Sequence, residues 1–268
     1  MSQPEGGYST TYSLFDDAVS AQLRQEIYGE DIGQNSWLTA DEHRSWLAWL
    51  NLTPETHALE VACGSGGPAL FLARTTGARV TGVDIDEQGV AQANRMAQAL
   101  SLAERADFQQ ADASQPLPFE DATFDAILCI DAINHLPDRL AVLGEWRRML
   151  KPDGRLLFTD PLVMTGILSS EEVAVRSSMG LAFFAPPGED TRLIAQAGLT
   201  LERVEDATAN VTLIGERRVR AREARQAEVI TREGQETFGR LQRFYAMAQT
   251  LASEGRLSRE VFLAHKTP

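Results

Sequence analysis

Apolar residues recur four apart in LFDDAVSAQLRQEIYG. Phe15, Val19, Leu23 and Ile27 make one stripe, which predicts an amphipathic helix closed by Gly29. A second helix is predicted in TADEHRSWLAWLNL, with Thr39 as N-cap and Trp46, Leu47 and Leu50 as the buried face. GEDIGQNSW between them reads as a loop, and Pro54 separates both helices from the first strand. From residue 57 the period shortens. ALEVA, ARVTGVDI, ADFQQAD, FDAILCID and RLLFTD read as five strands, with helices at 66–75, 87–101 and 137–150. KPDG at 151–154 carries a turn signature. Beyond it come a helix in GEDTRLIAQAG, a sixth strand after Gly198, and a closing strand in REVFLAHK.

Strands alternating with helices predict an α/β fold whose parallel sheet is covered on both faces. Two stretches break the rhythm. Residues 162–188 hold a helix and the irregular LAFFAPPGED, and residues 207–258 are mostly helical. Insertions at these places lie over the carboxyl ends of the strands, where open α/β sheets bind ligands. The expected organisation is a helical cap over residues 1–53 and a main domain over 54–268 carrying two lid-like insertions.

Composition narrows the possibilities. The 268 residues are 43% hydrophobic and 24% charged, as in an ordinary globular chain. No apolar run approaches the ~20 residues of a membrane span. The N-terminal stretch lacks the basic start and apolar core of a signal peptide. Cys63 and Cys129 are too few for a metal cluster or a disulfide framework, so a cytoplasmic location without a structural metal is expected. A net charge of −13 repels phosphate backbones and argues against nucleic-acid partners. ERRVRAREARQ dissents locally, with Arg217, Arg218, Arg220, Arg222 and Arg225. It reads either as a solvated helix face or as a patch for an anionic substrate.

HALEVACGSGGPALF joins a strand to a helix through a glycine turn of the kind that holds nucleotides. Gly64, Gly66 and Ala69 satisfy the dinucleotide spacing, so a nicotinamide or flavin cofactor is one reading. Acidic residues stand at or just beyond successive strand ends: Glu60, Asp84, Asp112, Asp131 and Asp160. Parallel strands bring such groups to one rim. Asp84 follows Gly64 at the distance expected of a ribose-binding carboxylate, and its plainer role is a helix N-cap. Glu60 discriminates between cofactors, because a carboxylate beside the turn repels a pyrophosphate and attracts the ammonium and sulfonium of S-adenosylmethionine. Asp112 and Ala113 can bond the adenine amino group and a ring nitrogen.

LEVACGSGG, VTGVDID, QQADASQPLPFEDATFDAILCIDAINHLPD and MLKPDGRLLFTD resemble, in order and spacing, the motifs of class I S-adenosylmethionine-dependent methyltransferases. The likeness is strongest to the small-molecule branch that includes sterol, quinone, sarcosine and sugar methyltransferases. It implies a Rossmann-like, seven-stranded, mostly parallel sheet with the last strand antiparallel. It also implies cofactor contacts at Glu60, Gly64, Gly66, Asp84, Ile85, Asp112, Ala113 and Asp131, and S-adenosylhomocysteine as product. The family usually has glycine where Ala62 stands; alanine fits there if its φ is negative.

Methyl transfer to oxygen or nitrogen needs an aligned acceptor and, for many acceptors, a base. His135 in NHLPD is the candidate base, with Asp160 as the group that orients or charge-stabilises it; lining the substrate or starting a helix are the alternatives. Tyr12, Tyr28, Trp37, Phe183 and Phe184 are expected to line an acceptor pocket, with Tyr8 and Phe15 nearby, whereas Phe238, Phe244 and Tyr245 are expected to pack in the core. The partner is a small-molecule methyl acceptor, and the chain is a monomer or homodimer. The competing readings are an NAD(P)-dependent oxidoreductase and a non-catalytic cofactor-binding scaffold.

Overall fold

Each apolar run after residue 57 is short and bounded by turn residues, and each forms a strand in the computed structural model, which describes residues 9–267. The strands are β1 (His57–Val61), β2 (Arg79–Asp84), β3 (Ala106–Gln110), β4 (Phe124–Cys129), β5 (Leu150–Met164), β6 (Thr200–Asp206) and β7 (Leu257–His265). They form one sheet in the order β3-β2-β1-β4-β5-β7-β6. The first five pair in parallel, and β7 runs antiparallel to both β5 and β6. The strand order turns back between β1 and β4. In open α/β sheets ligands bind at the carboxyl ends of the strands beside such a switch point.

Helices α1 (Ser9–Ser13), α2 (Ala18–Tyr28) and α3 (Ala40–Leu47) precede the sheet. Helices α4 (Gly67–Thr76), α5 (Glu87–Ala99), α6 (Arg139–Met149), α7 (Ser170–Arg176) and α8 (Glu189–Gln196) connect its strands, while α9 (Thr208–Ala224), α10 (Gln226–Glu233) and α11 (Gln235–Ser253) separate β6 from β7. Alternation along β1 sends Ala58 into one core with Leu70 and Leu72, and Leu59 into the other with Trp146 and Phe158. A third core joins Tyr28 and Trp37 to Ile214, Leu241 and Phe244, tying the N-terminal helices to α9 and α11. No helix among the described residues is long and apolar enough to cross a membrane.

Three expectations are corrected. The first predicted helix is broken before Ala18, because the Asp17 carboxylate accepts the amides of Val19 and Ser20 and caps α2 there. KPDG does not end an element: β5 runs through it from Leu150, with Asp153 in the left-handed region at φ 61° and its amide bonded to the Lys266 carbonyl. At its other end β5 continues to Met164, so Asp160 lies inside the strand rather than after it. Tyr8 lies outside the described residues.

Candidate active site

The glycine turn alternates left-handed residues, Ala62 at φ 56°, Gly64 at 53° and Gly66 at 77°. Gly66 sits too close to α5 for any side chain, since a Cβ there would lie 2.6 Å from that of Ala93. The Gly64 amide donates to Asp84 Oδ2 at 2.7 Å, so the end of β2 fixes the turn at the end of β1. Asp84 Oδ1 accepts the Asp86 amide at 2.9 Å, and the carboxylate, which also meets the Ile85 amide, retains capacity for one further bond. Asp86, not Asp84, is the N-cap of α5. Ile85 beside it is 47% exposed, an apolar surface on the rim. Tyr12 lies over the turn, its hydroxyl 2.7 Å from where a Gly64 Cβ would be.

Glu60 closes the floor. It is 3% exposed, and its Oε2 has no hydrogen-bond partner among the described residues. Burial pushes its carboxyl up to about 8, with the Asp84 charge adding to the shift. A buried acceptor of this kind is a receptacle for a cation and a poor neighbour for a diphosphate. Asp112 lies two residues beyond β3; it is exposed, and its Oδ1 accepts the Ser114 amide and hydroxyl. Ala113 packs partly into the second core.

Asp131 is held in a different way from the one expected. Its backbone is left-handed at φ 54°, and its carboxylate is held by the protein: Oδ1 by Thr159 at 2.7 Å and Arg259 at 2.6 Å, Oδ2 by the Trp37 amide at 2.9 Å. The side chain is thus a structural tie between β5, β7 and the loop before α3, at the rim where a cofactor contact was expected. The loop before α3 also covers the glycine turn, with Asn35 Nδ2 3.4 Å from Ser65 Oγ.

His135 ends a short 3-10 turn, Ile133–His135. Its Nδ1 bonds the Leu181 carbonyl, which can only accept, so in the neutral ring Nδ1 carries the proton and Nε2 the lone pair. Asn134 Nδ2 lies 3.3 Å from Nε2. Burial pulls the imidazole below its ordinary range; the Leu181 contact opposes this, and the Arg176 charge reinforces it. Asp160 does not serve this ring. Lodged within β5 and fully buried, it accepts Arg139 Nη1 at 2.6 Å and the Leu162 amide at 2.9 Å. The same Arg139 nitrogen donates to Asp190 at 2.7 Å, and Nη2 to the Phe183 carbonyl at 2.8 Å.

The expected aromatic residues divide. Tyr28 and Trp37 are buried together, Trp37 stacking on Phe244 at 6.3 Å. Their faces are met by the chain's own cations, Arg218 and Arg176, each 5.7 Å from Trp37. Phe183 is exposed, and its amide bonds the Asn134 carbonyl at 2.8 Å. Phe184 packs instead against Leu162, Leu251 and Leu257. Phe238 and Phe244 are buried, and Tyr245 packs against the core that holds Phe244.

Comparison with known proteins decides the family. The model of a methyltransferase domain matches residues 59–158, which span the glycine turn and the rim. The 27-O-demethylrifamycin SV methyltransferase of Amycolatopsis mediterranei is 30% identical over 200 residues, covering 70% of this chain and 73% of that protein. The chain belongs to the class I S-adenosylmethionine-dependent methyltransferases of small-molecule type. A second relative, the glycine/sarcosine/dimethylglycine N-methyltransferase of Actinopolyspora halophila, is 30% identical over 190 residues, 70% of this chain but 33% of its own length. In fold, the methyltransferase resembles the Haemonchus contortus phosphoethanolamine N-methyltransferase 2 in complex with phosphomonomethylethanolamine and S-adenosylhomocysteine. The TM-score is 0.81 at 20% identity, over 99% of this chain and 61% of that one. The oxidoreductase reading is set aside.

The methyltransferase's rim fits its cofactor. The unpartnered Glu60 Oε2 suits a cationic ligand, and Gly64 leaves no side chain between the turn backbone and the Tyr12 that lies over it. Sequence reasoning missed Arg139 and Arg259, which organise the surroundings, and left open whether the run holding Arg218 and Arg222 is solvated or faces a ligand. Arg139 directly follows the helix-start signal of Asp138, and Arg259 is a lone cation in an apolar strand. Arg218 and Arg222 are four apart, and that spacing within the charged run marks an inward-facing stripe.

Proposed function

We propose that this methyltransferase methylates an oxygen or nitrogen atom of a small acceptor, with His135 Nε2 taking the acceptor's proton. The observation that carries the reading is the bond from Nδ1 to the Leu181 carbonyl, which assigns the basic lone pair to Nε2, where the long bond from Asn134 Nδ2 at 3.3 Å gives way to the acceptor. The lowered pKa keeps the ring neutral near pH 7, the state a base requires. S-adenosylmethionine supplies a methyl group on a sulfonium, and the protein's task is to hold the acceptor in line with it. The names of the two relatives describe one O-methylation and one N-methylation, which supports either atom.

Glu60 is assigned the ligand's cationic groups, Asp84 the ribose hydroxyls, Ile85 one face of the adenine, and Asp112 with Ala113 its edge. Gly64 and Gly66 admit the ligand close to the backbone. Residues 1–53 act as a cap, and the segments around 162–188 and 207–258 as lids over the acceptor. The chain works on small molecules as a monomer or homodimer, in the cytoplasm, where two buried free cysteines stay reduced.

The test is an acceptor screen over phenols, amines and sugars, followed by His135→Ala on the acceptor found. Turnover is expected to fall about 10²–10⁴-fold at saturating acceptor, with S-adenosylhomocysteine affinity retained. Near-wild-type turnover removes His135 from the chemistry.

A further inference from the structure

Between α2 and α9–α11 lies a cavity of about 100 Å³. One side is apolar, with Leu23, Ile27 and Leu241 among its walls; the other carries hydroxyls and arginines. Two of its lining residues connect it to the cofactor turn. Asn35 bonds Ser65 of that turn, and Thr11 precedes the Tyr12 that lies over Gly64.

The charges around the cavity do not balance. Arg24 is paired with Asp31 at 3.0 Å, Arg222 with Glu233, and Arg232 with Asp17. Arg218 has no carboxylate partner among the described residues. Its Nη1 donates to the Tyr245 hydroxyl at 2.7 Å, and its Nη2 to the Tyr28 hydroxyl and to the carbonyls of Asn35 and Ser36, all neutral acceptors. Its Nε is buried without a hydrogen bond. Tyr28 cannot supply the charge, since burial, against the pull of Arg218, pushes its phenol up to about 12. A guanidinium in such surroundings is costly unless an anion completes it. The carboxylate that lines the cavity, Glu233, is taken by Arg222, so in a chain of net charge −13 Arg218 is left without one.

The volume limits what can enter. It is smaller than the ~150 Å³ that accommodates a benzene ring and far below the ~300 Å³ of a whole ligand site. It takes one end of a molecule. Trp37, which faces Arg218, also faces Arg176, whose charge reaches His135, so Arg218 on the cavity wall is linked to the proposed transfer point through two side chains. We propose that this cavity receives the anionic end of the methyl acceptor, a carboxylate or phosphate on an otherwise apolar molecule, with Arg218 as its counterion. The proposal rests on the small-acceptor reading above and narrows it to acids.

Calorimetry on the full chain loaded with S-adenosylhomocysteine tests it, using benzoate, phenyl phosphate and the neutral benzamide as probes. At least one of the two anions is expected to bind tenfold or more tightly than benzamide, and which one does so separates carboxylate from phosphate. Arg218→Gln is expected to abolish the preference and Arg218→Lys to restore part of it, with S-adenosylhomocysteine affinity unchanged in both. Equal binding of all three probes, no binding of either anion, or a preference that survives Arg218→Gln overturns the proposal. If Arg218→Gln does not fold, the wild-type preference and the lysine variant decide. Loss of S-adenosylhomocysteine binding by the unmodified chain would instead refute the methyltransferase reading itself.

Discussion

Arg259 Nε donates to Asp131 Oδ1 across 2.6 Å, from strand β7 to the turn that follows β4. The same guanidinium grips both oxygens of Glu42 on α3 at 2.8 Å and lies 5.0 Å from the Trp46 ring. One fully buried cation thus bridges two carboxylates and fastens the N-terminal helices to the rim, where Asp131 in turn holds the Trp37 amide.

Removing that cation strands two acids in the interior. Arg259→Met is expected to cost about 3–5 kcal/mol, the usual penalty for breaking a buried ion pair from one side. Urea unfolding measures it. Because the cap depends on the same tie, the KM for S-adenosylmethionine is expected to rise more than kcat falls. A variant as stable as the parent would show that the network contributes nothing.

Asp160 yields a contrasting expectation. Burial raises its pKa, Arg139 opposes, and Asp190 adds to the rise, so it belongs to an ion cluster and not to the imidazole. Asp160→Asn is expected to lower the melting temperature and to leave the acidic limb of the pH–rate profile in place. A shift of that limb would restore Asp160 as the orienter of His135.

The sheet and the glycine turn were legible because their signals are local. A strand of period two, a glycine at a tight turn and a cap such as Thr39 each act within a few residues. The arginines were not legible for the opposite reason. Arg259 meets Asp131 and Glu42 across 128 and 217 residues of chain, and no local pattern encodes such a pairing. Asp160 was misplaced because RLLFTD reads as ending there, whereas Val163 and Met164 pair with Ser258 and Leu257 of β7 and carry the strand past it. Tyr28 does line a cavity, as its place in the short N-terminal segment suggested, but the arginines set against Tyr28 and Trp37 come from α9 and α7, which no local pattern shows.

Ala62 departs from the expectation of a negative φ. At 56° it takes a left-handed conformation beside Gly64 and Gly66, which costs an L-residue roughly 1–2 kcal/mol. Glycine removes that strain and adds about 0.5–1 kcal/mol of chain entropy on folding. Ala62→Gly is therefore expected to be neutral to stabilising, with the melting temperature unchanged or up by a few degrees. Gly66→Ala moves the other way, since its Cβ collides with Ala93 while φ is 77°. A loss of stability in Ala62→Gly would show that the Ala62 methyl packs well enough to outweigh its backbone strain.

Glu60 ties cofactor affinity to pH. Its carboxyl titrates near 8 in the folded chain because of burial and then Asp84, against an ordinary value of 4.5. Without ligand, the folded state keeps a proton that the unfolded chain releases, so this residue's contribution to stability falls as pH rises from 4.5 through 8. A cationic ligand reverses the preference, because it needs the ionised carboxylate and expels the proton on binding. S-adenosylmethionine affinity is therefore expected to rise by about tenfold per unit while Glu60 remains mostly protonated, and to level off above about 8. Calorimetry in buffers of different ionisation enthalpy should register close to one proton released near pH 7. Glu60→Gln should flatten the profile, and should weaken S-adenosylmethionine more than S-adenosylhomocysteine, which lacks the sulfonium charge. A pH-independent affinity in the parent chain would mean that Glu60 does not face the ligand's charge.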